Sequence, residues 1–320
     1  MRMAFVGKGG SGKTTLCSMV VRYAQGKGAP LLAIDADINQ HLGAAVFGTQ
    51  YHPQKPDLGA ELTQLKTHLL GASVAFKNPA EMVKTMLPTK GSHLITLCKD
   101  DVILNTFAES LGKNQYFMHV GGFDEGDIGT KCFHAKTGGV ELVLNHLIDA
   151  PTDIVAVDMT AGADAFASGL FTRFDVTFIV VEPTLKSLSV YTQYKEYAKN
   201  YPITLAVLGN KVETPEDAEF LKTHCGADLI GSIGHSKWVK QMEKGFLQPL
   251  TALEPENTQT LRQIFAFLQN QKRDWAQYWA LGVEFHVKNA ISWANEAAGY
   301  DVATLIDKTY LQHLSAPKAA

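Results

Sequence analysis

The sequence predicts an α/β fold: a mostly parallel, twisted sheet flanked by helices, followed by a C-terminal helical extension. Short apolar runs ending in small or acidic residues alternate with amphipathic stretches, the pattern that builds parallel sheets from strand–helix–strand units. A glycine-rich stretch, Gly7 to Thr15, separates the first apolar run from the first helical pattern. From Asn257 onward the pattern is helical only, with Trp275, Trp279, Val283, Val287 and Ile291 stepping by four along one slowly drifting face. With 320 residues, 46% hydrophobic and 19% charged, the chain has material for one extended domain or two small ones. A sheet domain over 1–255 and an extension over 256–320 are expected.

The elements follow in order. Met3 to Val6 is a buried strand, and Thr14 to Gln25 carries Leu16, Met19, Val20 and Tyr23 at helical spacing until Gly26 and Gly28 stop it. Leu31 to Ile34 is the second strand, which closes a right-handed βαβ unit. Residues 57–92, punctuated by Pro79 and Pro88, read as a helical insertion, with Asn78-Pro79-Ala80-Glu81 as a helix start before Met82, Val83 and Met86. His93 to Cys98 and Gln115 to Val120 read as strands, residues 121–139 as a long Gly-rich loop, and Val140 to Ile148 as a helix. Loops of that length inside compact domains tend to carry function or to be disordered. Further strands are expected at Asp153 to Val157, Val176 to Val181, Ile203 to Leu208 and Leu229 to Ile233. Helices are expected at Leu185 to Lys199, from Thr214 onward, and at Ser236 to Lys244.

The chemistry concentrates at strand ends. Gly7-Lys8-Gly9-Gly10-Ser11-Gly12-Lys13-Thr14-Thr15 fits G-x-x-x-x-G-K-[ST], in which glycines turn backbone N–H groups toward an anion and the following helix adds its N-terminal partial charge. Lys13 is expected on the β- and γ-phosphates of a nucleotide and the Thr14 hydroxyl on magnesium. Asp35 and Asp37 end the second strand: Asp37 suits orienting or deprotonating an attacking water, and Asp35 suits holding the metal's water shell. Asp158, in Asp158-Met159-Thr160-Ala161-Gly162, suits a magnesium-holding acid at a third strand end. Asn210, followed by Lys211, offers an amide able to donate to and accept from a purine edge. The ligand set expected is therefore ATP with Mg2+, bound by Gly9, Gly10, Ser11, Gly12, Lys13, Thr14, Thr15, Asn210 and Lys211.

Lys8 makes the loop K-G-G-x-G-K-T-T. With Asp35-Ala36-Asp37, Asp158 to Gly162, Val181-Glu182-Pro183 with Ser187-Leu188, and Asn210-Lys211-Val212, this resembles the CooC subgroup of the MinD/ParA/nitrogenase-iron-protein deviant Walker A P-loop ATPases, from residue 1 to about 270. The resemblance implies a slow switch ATPase that homodimerises around ATP, with Lys8 reaching the partner's nucleotide, and that assists maturation of a client metalloprotein. It also implies a metal-binding Cys-x-Cys before the Walker B strand, where this chain has Cys132-Phe133-His134; Cys132 and His134 are candidate ligands for zinc or nickel across the dimer. Two alternatives are a ParA/MinD-like positioning ATPase and an iron–sulfur electron-transfer ATPase. A net charge of −3 gives no general electrostatic case for nucleic acid or anionic membrane. No apolar run is long enough to span a bilayer, the first strand leaves no room for a signal peptide, and four scattered cysteines suit a reducing compartment. A cytoplasmic protein with an unknown client is expected.

Overall fold

The computed structural model describes residues 1–76, 78–97, 100–123 and 133–315. Eight strands form one sheet: β1 (Arg2–Gly7), β2 (Leu31–Ala36), β3 (Glu109–Gly112), β4 (Gln115–His119), β5 (Ile154–Met159), β6 (Val176–Val181), β7 (Leu205–Val212) and β8 (Leu229–Gly234). Their order is β3-β4-β2-β5-β1-β6-β7-β8. Only β3 runs antiparallel, closing an edge hairpin with β4. β1, β2, β5 and β6 are buried along their whole length, as expected of central parallel strands covered on both faces.

Among the described residues there are twelve α-helices: α1 (Lys13–Gly26), α2 (Leu42–Phe47), α3 (Leu62–Leu70), α4 (Val102–Phe107), α5 (Phe133–His146), α6 (Leu185–Ala198), α7 (Pro215–Cys225), α8 (Lys237–Glu243), α9 (Pro255–Gln269), α10 (Trp275–Asn289), α11 (Asn295–Ala298) and α12 (Lys308–His313). One core lies between one face of the sheet and α5, α6 and the insertion; the other lies between the opposite face, α1 and α9. Leu261, Ile264 and Leu268 of α9 share that second core with Phe5 and Phe178, so the layer covering the sheet runs on to Gln269.

Several expectations are corrected. The helix expected from Val140 begins at Phe133. Gly138 and Gly139 look like loop residues, but a Cβ on Gly139 would stand 2.8 Å from the Leu58 carbonyl oxygen, and one on Gly138 would stand 2.9 Å from the Lys84 Cβ. They are glycines because the insertion packs directly on the helix. Of the strand expected over His93 to Cys98, the described residues, 93–97, make a single bridge, Ile95 to Leu147, because the Ile95 backbone bonds the end of α5 instead of a sheet strand. Asn78 does cap, its side chain accepting from the Ala80 N–H, but only a 3-10 turn, Pro79–Glu81, follows before Met82 turns extended and is buried. Helices α2 and α4 and strand β3 were not anticipated.

The extension is pinned to the start of β1. Arg2, fully buried, donates to Asp149 at 2.6 Å, to the Leu144 carbonyl at 2.6 Å and to the Tyr278 hydroxyl at 2.6 Å. Arg273 bridges Asp149 and Asp175, each at 2.6 Å, and Arg173 lies 4.0 Å from the Tyr278 ring centroid. Burial alone would raise the Asp149 carboxyl; Arg2 and Arg273 outweigh it and hold the group far below the usual carboxylate range. Beyond α10 the helix continues through a π-helical turn, Ala290–Ala294, in which Ala290 and Ala294 are buried while Ile291 is 77% exposed. The expected apolar stripe therefore ends before Ile291.

Candidate nucleotide site

The loop between β1 and α1 is held by its own backbone, the Ser11 N–H donating to the Lys8 carbonyl at 3.1 Å. Gly12, at φ +94°, occupies the N-cap of α1 with no side chain capping it, which leaves the first-turn N–H groups directed at whatever sits in the loop. A Cβ there would meet the Asn210 amide nitrogen at 2.0 Å. Gly9 and Gly10 are exposed at the rim, and Thr15 is half-buried in the first turn of α1.

The ends of β2 and β5 converge on this loop. Lys13, buried, places its ammonium 3.9 Å from Asp37 Oδ2. The Thr14 hydroxyl donates to Asp158 Oδ2 at 2.6 Å. Asp35 and Asp158 are register partners on the adjacent strands β2 and β5. Asp35 accepts from the N–H groups of Leu42 at 2.8 Å and Asp37 at 3.2 Å. Burial pushes the Asp35 carboxyl up to about 7, only partly offset by those two N–H groups. Asp158, wholly enclosed, is also raised well above the usual carboxylate range, by burial and then by the charge of Asp35.

Two buried oxygens lack hydrogen-bond partners, Asp158 Oδ1 and Ser11 Oγ. A buried carboxylate oxygen without a partner is costly and calls for a cation or its water shell. Thr14 and Asp158, with Asp35 alongside, thus form a hard-oxygen donor set that fits magnesium held jointly with phosphate oxygens and water. Among the described residues no group of three or more His, Cys, Asp or Glu side chains is gathered into a metal cage.

Residues to which the sequence assigned no role complete the site. Asn39 donates twice to Asp37 Oδ1, from its backbone N–H and its side-chain amide, both at 2.9 Å, and so fixes that carboxylate. The signal was the D-x-N spacing, which favours such turns. The Gly162 N–H donates to the Gly7 carbonyl at 3.0 Å, joining the end of β5 to the phosphate loop. Asn210 turns its amide onto the loop, donating to the Ser11 carbonyl at 2.8 Å. Lys211, at φ +58°, donates to the Gly10 carbonyl at 2.8 Å and pairs with Glu182. Lys8 is 30% exposed, its ammonium 4.0 Å from Glu182. Cys132 lies outside the described residues, as does Cys98. His134 falls in the first turn of α5, away from the strand ends that carry the loop and acids in sequence, and only its backbone is described.

No protein-family model matches the chain. It is 28% identical over 236 residues to the carbon monoxide dehydrogenase accessory protein CooC of Rhodospirillum rubrum, covering 73% of this chain and 83% of that protein. It is 27% identical over 277 residues to an uncharacterised ATP-binding protein of Methanocaldococcus jannaschii, covering 84% and 97%. Its fold matches a ParA family ATPase from Chlorobium tepidum, with a TM-score of 0.55 at 14% identity over 81% of this chain and 95% of that one. It also matches the septum site-determining protein MinD of Pyrococcus horikoshii, with a TM-score of 0.55 at 15% identity over 84% and 96%. With the phosphate loop, its two lysines and the acids at the ends of β2 and β5 in place, the chain is similar to the CooC accessory protein and has the fold of the MinD and ParA ATPases.

Proposed function

We propose that this ATPase is a switch that homodimerises around two molecules of ATP and uses slow hydrolysis to time the maturation of a client metalloprotein. The observation that carries the nucleotide half is the orphaned, buried Asp158 oxygen beside the Thr14 hydroxyl, with Lys13 and Asp37 3.9 Å apart next to them. Lys13 neutralises the phosphates, and Asp37, fixed by Asn39, takes a proton from the water that attacks the γ-phosphorus as the bond to the bridging oxygen breaks, giving ADP and phosphate. Lys8 stands on the rim, where Leu185, 70% exposed, begins α6 at the same edge of the sheet; this face suits a second copy whose nucleotide Lys8 would reach.

The maturation role rests on the 28% identity to the accessory protein. No helix among the described residues is long and apolar enough to cross a membrane, which gives no support to a membrane-spanning variant of the positioning reading. A zinc or nickel site at Cys132 and His134 is carried by sequence position alone. Light scattering with ATP on wild type and Asp37→Asn tests the switch: the variant should give a long-lived dimer that wild type loses as ATP is consumed. A mass that ignores nucleotide in both would remove the proposal.

A further inference from the structure

Glu182 stands between the two lysines that flank the phosphate loop. Its carboxylate pairs with Lys211 through one oxygen and lies 4.0 Å from the Lys8 ammonium through the other. It is only 16% exposed, and its backbone is locked: its N–H donates to Ser187 Oγ at 2.9 Å, and its carbonyl accepts from the Thr184 N–H at 2.7 Å. Lys211 is held from the other side by the Gly10 carbonyl at 2.8 Å. The Lys8 ammonium donates to the Gly9 carbonyl at 3.3 Å, and Glu182 adds its charge to that contact, so Lys8 stays over its own subunit's loop, although Lys13 is already there for the phosphates.

We propose that Glu182 is a positioning residue that restrains Lys8 in cis and thereby sets the ATP concentration at which the dimer forms. This rests on the reading in which Lys8 serves the partner's nucleotide. Lys8 has one ammonium, and Glu182 and the partner's phosphates compete for it. The Glu182 charge also sits beside the triphosphate and opposes it. Neutralising Glu182 removes both effects, and both act in the same direction. Lys211 takes up one Glu182 oxygen, so its loss leaves the carboxylate to Lys8 alone and tightens the restraint.

The test is the ATP concentration giving half-maximal dimer, measured by light scattering in the slow Asp37→Asn background. Glu182→Gln keeps the shape and removes the charge; it should lower that concentration by about twofold to fivefold, the range for one partly exposed ion pair per bound ATP. Lys211→Gln should raise it, and adding Glu182→Gln should reverse that rise, which loss of an ATP contact by Lys211 would not allow. A purely structural role for Glu182 would raise the threshold and depress the melting temperature together. An unchanged or raised threshold in Glu182→Gln with an unaltered melting temperature overturns the inference. Absence of any ATP-dependent dimer in the Glu182-intact protein would instead remove the reading on which it rests.

Discussion

Gly12 shows how narrowly the nucleotide site is built. At φ +94°, with the Asn210 amide where a Cβ would stand, Gly12→Ala meets both backbone strain and a clash. It should weaken ATP binding at least tenfold by calorimetry, and Gly12→Ala with Asn210→Ala should recover only the part due to the clash. Lys13→Ala should abolish tight ATP binding, since the phosphates would enter a partly desolvated loop without their closest cation. Unchanged affinity would mean the triphosphate lies elsewhere. A third residue tests the buried electrostatics away from the site. Glu141 in α5 is pushed from 4.5 up to about 7 by burial, with the Ser168 hydroxyl, Lys84 and Arg173 only partly offsetting it. The folded chain therefore holds this proton more tightly than the unfolded one, and stability falls as pH rises from about 4.5 to 7. Glu141→Gln should raise the melting temperature near pH 8, by up to roughly 3 kcal/mol of stability, and leave it unmoved near pH 4.5. Equal melting at both ends would refute the shift.

Among the elements, α10 tests how the extension is attached. Arg273→Ala leaves Asp149 and Asp175 buried with fewer partners and should destabilise the chain by about 3 to 5 kcal/mol, whereas Lys288→Ala, an exposed pair with Glu284, should change stability by well under about 1 kcal/mol. Denaturant melts of the two variants decide between an anchored and a loosely tethered extension. None of this was legible beforehand: Arg2 reads as an ordinary charged residue beside Met1, and its burial depends on residues 149 and 278, far along the chain. What was legible is local. The loop with α1, β2, β6 and the α7 cap, where Thr214 and Asp217 form a reciprocal box, are each specified by neighbouring residues. The start of α5 was not, because Gly138 and Gly139 answer to Leu58 and Lys84 from the insertion. The site divides in the same way: Lys13, Thr14, Asp35, Asp37 and Asp158 follow from motif order, but the roles of Asn39 and Glu182 required the folded backbone to bring them to Asp37 and Lys8.

At the scale of the whole molecule, the candidate nucleotide site lies at the carboxyl ends of the central strands and the anchor of the extension at their amino ends. Elemental analysis of the ATP-bound protein should find about half an equivalent of zinc or nickel per chain, lost in Cys132→Ser, if two copies share one ion. A metal-free protein that takes up none on titration would leave the helical extension as the better candidate for client recognition. β1 joins the two ends of the molecule. Its first residue, Arg2, lies in the ion network with Tyr278 and Asp149, and its last, Gly7, opens the phosphate loop and receives the Gly162 N–H. Between them are four residues of zero exposure, clamped in parallel register by β5 and β6. Such a strand cannot buckle sideways, so the anchor of the extension and the phosphate loop are the two ends of one stiff element about 17 Å long.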